Sequence, residues 1–326
     1  AENTAIGSNT LYDNTTGANN TALGFNALSN NTTGDDNTSL GRNTLASNTT
    51  GSSNTAVGSN ALDANTTGVE NTAIGYQSLS ANTTASYNTA IGDGALRANT
   101  TGERNTAVGN NSLIANTTAS YNVAVGDQAL STNTTGADNV AVGYLSLGSA
   151  TTDPQNTAVG RQALANLQGS SGLNTAVGRR AGFTMTTGSS NTAVGGNAMD
   201  ATTTASENTA VGVNALTSNT TGGRNTAVGF GCLDNCDTGE EAVAIGYQAC
   251  KSNTSADRNV GVGYKALYTA TTGGSNQGVG QFALYNLTTG ASNAAFGNSA
   301  AFELTTGTNN TCIGNDAGRA ASPSGS

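Results

Sequence analysis

The sequence predicts an all-β protein, a parallel β-solenoid of nineteen 17-residue coils. Three observations predict it. A pentad close to Asn-Thr-Ala-Val/Ile-Gly returns every 17 residues, its fourth position is aliphatic or aromatic in every copy, and charged residues are absent from it throughout. Seventeen residues is too short for helix-pair repeats, which need more than about 30, and suits one coil of short strands and tight turns. Nineteen such coils stacked at the inter-strand spacing of about 4.8 Å would make a rod of roughly 90 Å.

The pentads begin at Asn3, Asn20, Asn37, Asn54, Asn71, Asn88, Asn105, Asn122, Asn139 and Asn156, then at Asn174, Asn191, Asn208, Asn225, Ala242, Asn259, Asn276, Asn293 and Asn310. One coil, 156–173, has 18 residues. The chain therefore reads as a single repeat array over residues 1–326, in a parent protein that continues beyond both ends. Solenoids need polar caps, and none is evident, so end-to-end stacking of copies is also expected.

Composition narrows the function. The 326 residues include no Trp and no His, only 10% are charged, and the net charge is −9. The two lysines, Lys251 and Lys265, form no basic patch. This argues against nucleic acid, whose affinity comes largely from Lys and Arg neutralising phosphates. No run of about 18 apolar residues exists, which argues against membrane insertion by a helix.

With the leading Asn as position 1, Thr/Val at 2 and Ile/Val at 4 share one face under the strand period of two. They are expected inside. Position 9, mostly Leu (Leu11, Leu28, Leu62), is the second inward element, with small residues at position 8. Where position 9 is Gly182 or Ala301, the following Phe183 or Phe302 is expected to fill the space. Position 3 would then face outward, yet it is Ala in nearly every coil. A free surface would tolerate Lys or Glu there, so a second chain is expected to pack against it. Two or three large apolar groups per coil, at about 1.5–3 kcal/mol each, do not obviously offset the ordering entropy. Both points favour an oligomer, the alternative being a monomeric solenoid whose Ala row follows from the small size of the coil. The Asn-Thr-Thr-Gly run at positions 12–15 (Asn14–Gly17, Asn48–Gly51) reads as a turn with Gly at positive φ, and its Asn side chains can form amide ladders up the stack.

The pattern Asn-Thr-Ala-Val/Ile-Gly…Ala-Leu…Asn-Thr-Thr-Gly resembles the repeat shafts of phage tail fibres, notably cyanophage-like ones, and is similar to the β-roll head repeats of trimeric autotransporter adhesins. The ending Asn310-Thr-Cys-Ile-Gly through Ser326 looks like the passage preceding a self-cleaving chaperone domain of such fibres. The resemblance implies a left-handed, homotrimeric structural shaft on a virion or bacterial surface. Such a shaft extends a receptor-binding tip for host attachment and contacts host surface polysaccharide. The unit is longer than the usual adhesin head unit, which leaves coil shape and hand open.

No catalytic constellation is visible, so an enzyme is not expected. Without His there is no Ser-His or Cys-His pairing, and no metal or cofactor motif occurs. Cys232, Cys236, Cys250 and Cys312 lack paired zinc spacing. A disulfide between Cys232 and Cys236 stays open. The Asn-x-Thr/Ser matches at Asn14, Asn31, Asn65 and Asn219 arise from the repeat and would be glycosylation acceptors only in a eukaryotic secretory setting. The position-6 aromatics Phe25, Tyr76, Tyr144, Phe230, Tyr247 and Tyr264 follow the corner glycine, are expected exposed, and are the candidate receptor contacts. They would serve either as stacking faces for sugars or as cover for a groove between subunits. A Thr-rich ice-binding solenoid is the competing reading. Against it stands the expectation that the position-2 Thr points inward.

Overall fold

The computed structural model describes residues 2–169 and 172–318. They form two compact bodies, divided between Gln162 and Ala163 inside the 18-residue coil; each is described by itself. The first holds ten three-residue strands, from Thr4–Ile6 to Thr157–Val159, and the second nine, from Thr175–Val177 to Thr311–Ile313. Within each body successive strands pair in parallel, each residue opposite the one 17 further on, as in Thr89↔Thr106, Ala90↔Ala107 and Ile91↔Val108. The same register joins Thr209–Val211 to Thr226–Val228. The described chain is a parallel β-solenoid.

Inter-coil hydrogen bonds do not stop at the strands. Around one coil, the amides of Gly92 and Gly94 donate to the preceding coil, while those of Thr89, Leu96 and Ala98 donate to the following one. The whole circumference is therefore laddered, which satisfies backbone groups that a small coil would otherwise strand.

This laddering depends on an unusual backbone. Positions 7, 9 and 17 adopt left-handed φ in coil after coil, for example Asn60 (56°), Leu62 (54°) and Glu70 (56°). Leu is uncommon there and a β-branched residue would be worse. Accordingly, none of these three positions carries Val, Ile or Thr in any coil, although position 4 is dominated by them. The corner glycine at position 5 also has positive φ (137° at Gly92), and a Cβ there would lie 2.5 Å from the Gly109 carbonyl oxygen of the next coil. The turn glycine at position 15 has a different cause. Gly17, Gly34 and Gly51 are not left-handed, contrary to the expectation from turn chemistry; a Cβ on Gly51 would lie 2.5 Å from Asn48 Oδ1.

The core reverses the expected facing of the strand. Position 3 points inward: Ala56, Ala90, Ala107 and Ala141 are fully buried. Positions 2 and 4 point outward, and Ile74, Ile91 and Ile245 remain 37–40% exposed. The strand is therefore not buried on both faces, and the Ala row is no interchain contact. The reason is space. At position 3 of one coil, a Cβ on Gly278 would already stand 3.1 Å from the Ala283 carbonyl and 3.3 Å from Leu267 Cγ of the preceding coil. The position-9 leucine fills the coil, and only Ala, Ser, Gly or Cys fits opposite. Leucines 28, 62, 96 and 130 and the position-8 alanines are buried as expected.

Phe183 and Phe302 do not replace the missing leucines. Position 10 faces outward: Phe302 stacks on Tyr285 and Phe183 lies beneath Arg180. Beside Gly182, Leu164 and Met185 occupy the interior instead.

Two amide ladders complete the core. At position 12, Asn48 Nδ2 donates to Asn31 Oδ1 (2.8 Å) and to the Gly51 carbonyl (2.9 Å). At position 1, the Asn37 backbone N–H donates to Asn20 Oδ1 (2.9 Å) and its Nδ2 to the same Gly51 carbonyl (2.9 Å). One carbonyl thus ties the strand's start to the turn across the interior. Such buried amides are stabilising only when fully paired. The position-12 ladder is interrupted in the second body. Asn219 stands between Thr202 and Cys236, and its Oδ1, like Thr202 Oγ1, is buried with no partner.

Candidate interaction surfaces

With the backbone and most of the Asn amides satisfied internally, chemistry is left to the surface rows. The largest regular one is the outward strand face. Its position-4 column runs Ile6, Leu23, Leu40, Val57, Ile74, Ile91 and onward, beside a Thr/Val column at position 2. Lateral spacing is the coil rise, about 4.8 Å, and spacing along the strand is about 6.6–6.8 Å. No charged residue lies in either column.

The six position-6 aromatics are all exposed, between 41% and 52%. They are not equivalent. Phe230, Tyr247 and Tyr264 stack in one column with ring centres 5.5 and 5.2 Å apart and planes 10° from parallel. Tyr144 lies under the Arg161 guanidinium at 5.8 Å, while Phe25 and Tyr76 sit in distant coils of the first body. Position-based reading missed a second column at position 10: Tyr268, Tyr285 and Phe302, at 5.2 Å spacings and within 4° of parallel. Its signal was present, since these rings recur at intervals of 17 residues. At position 17 of the first body, Arg104 is held between Tyr87 (5.0 Å) and Tyr121 (5.8 Å) and donates to the Tyr121 hydroxyl (3.1 Å).

Titratable groups are sparse. Burial pushes up the carboxyls of Asp63 and Asp234, both at position 10, and Lys251 partly offsets this at Asp234. Cys232, Cys236 and Cys250 are buried free thiols, so the Cys232–Cys236 disulfide is not formed in this structure. Burial raises all three, Cys236 to about 11. Inert thiols of this kind act as small hydrophobes. Asn31, Asn65 and Asn219 are buried with their amides engaged in the core, which closes them as glycan acceptors in the folded chain. Among the described residues no group of His, Cys, Asp and Glu could hold a metal ion, and no helix is long and apolar enough to cross a membrane. A shallow, open depression of about 400 Å³ is lined by Asn9, Asn26, Asn30, Ser29 and Tyr12.

No protein-family model matches the chain, and no curated protein matches it.

Proposed function

We propose that the chain is a non-enzymatic structural shaft of an extracellular fibre, such as a virion tail fibre or adhesin, and that it associates with copies of itself as a homotrimer. The observation that carries this is the charge-free apolar column at position 4, Ile, Leu or Val in every coil except for Phe296, half-exposed or exposed throughout. A contiguous apolar row of this kind marks an interaction surface. Its period is that of the coil itself, so the partner best able to match it over its length is another copy with the same rise. The seat of association thus moves from the Ala row to positions 2 and 4. Two internal amide ladders and an all-round backbone ladder suit a stiff extender. Light scattering on the purified chain tests the proposal. A mass near three times 32.0 kDa supports it, and replacing Ile74 and Ile91 by Lys should lower that mass. A clean monomer at high concentration removes it.

A second reading is favoured by one observation. The position-2 Thr points outward, where it was expected inward, so a Thr-x-Val/Ile array faces solvent at regular spacings in both directions, a pattern able to order water. A monomer that inhibits ice recrystallisation, and loses this on Thr89→Lys, would establish it. A trimer without such activity would dismiss it.

A further inference from the structure

We propose that the aromatic and lysine-bearing face of the coils beginning at Asn225, Ala242, Asn259, Asn276 and Asn293 is a binding site for an acidic polysaccharide. Seven of the chain's fifteen Phe and Tyr rings lie on it. The position-6 and position-10 columns are joined by Phe282, which meets Tyr264 (5.3 Å), Tyr285 (5.5 Å) and Phe302 (6.1 Å) edge-on. Near-parallel rings more than 5 Å apart are slipped rather than eclipsed. All seven rings keep part of their surface in solvent. The result is a rigid ramp of flat apolar surface, interrupted by hydroxyls, that repeats at the coil rise. Sugar rings, with one apolar face and a polar rim, fit such a surface.

The charge on the face selects among sugars. Both lysines of this acidic chain are here, in adjacent coils. Lys265 Nζ lies 5.5 Å from the Tyr264 ring centre and 5.0 Å from that of Tyr268, and Lys251 lies 5.9 Å from Tyr268. Asp234 is close enough to Lys251 to feel its charge. Among the described residues, neither lysine has a carboxylate within ion-pair distance. Their ammonium groups are held against rings and remain available to a carboxylate or sulfate on a sugar resting there. This site is separated from positions 2 and 4 by the corner glycine at position 5, so it does not depend on self-association.

Electrophoresis of the native chain through gels containing alginate, dextran sulfate or neutral dextran tests the proposal. Retardation is expected with alginate or dextran sulfate, not with dextran, and should weaken with added salt. Lys265→Glu should weaken it by about two- to fivefold, the size of one exposed charge contact. Tyr264→Ser should weaken it too, while Tyr76→Ser, in the other body, should not. Alginate retarding and dextran sulfate not would select the carboxylate as the recognised group, and the reverse the sulfate. Equal retardation by neutral dextran, no retardation at all, or an equal effect of Tyr76→Ser would overturn the proposal. So would a change in solution mass on Lys265→Glu without any polysaccharide binding, which would make the face a contact between copies.

Discussion

Replacing Leu113 by isoleucine keeps the number of heavy atoms and moves the branch from Cγ to Cβ. In an ordinary core such a swap costs under about 1.5 kcal/mol after repacking. Here the side chain is fully buried and φ is 50°. A residue held left-handed costs of order 1–3 kcal/mol, and a second Cβ substituent pushes towards the upper end. Leu113 already bears the lower part of that cost, so isoleucine adds about 1–2 kcal/mol to a repacking cost under about 1.5 kcal/mol; the expected loss for Leu113→Ile is about 2–3 kcal/mol, against under about 1.5 kcal/mol for Leu113→Met. The chain already uses Met199 at this position. In a repeat array the effect should stay local, because each coil contacts only its neighbours. Hydrogen exchange of the Leu113 amide, which donates to the Ala129 carbonyl at 3.0 Å, reads it directly. The isoleucine variant should exchange roughly 30- to 150-fold faster than wild type. Equal exchange in the Ile and Met variants would refute the view that backbone conformation, rather than volume, excludes β-branched residues from position 9.

Cys236→Asn should extend the broken ladder by donating to Asn219 Oδ1 and to the Gly239 carbonyl, raising stability by about 1 kcal/mol, since a buried unpaired acceptor costs about 1–3 kcal/mol; a lower denaturation midpoint would contradict this. Asp63 has a raised folded pKa from burial, and its Oδ1 has no partner. Its contribution to folding is therefore present below the unfolded carboxyl value and is lost as pH rises through the folded one. Asp63→Asn should raise the thermal midpoint at pH 7 and leave it unchanged near pH 3. In a thiol-reagent titration at pH 8, Cys312, which is half-exposed, should react quickly, while Cys232, Cys236 and Cys250 should wait for denaturant; rapid loss of a second thiol would show that the core opens.

Residue pattern alone determined the period, the short strand, the burial of Leu at position 9, the amide ladder at position 12 and the exposure of Phe25, Tyr76 and Tyr264. Each of these rests on local chemistry repeated in register. It also carried a signal that went unread: the absence of Val, Ile and Thr from positions 7, 9 and 17, which marks the left-handed sites. Which face of the strand points inward was decided only by the tertiary structure. A period of two says that Thr89 and Ile91 share a face and that Ala90 takes the other; it does not say which face is the core. Hydrophobicity favours Ile91, but the interior is already filled by leucine and two asparagine amides, and the remaining gap admits a methyl group and little more. Excluded volume inside a 17-residue coil, a property no single coil's sequence displays, turned the larger side chains out to solvent.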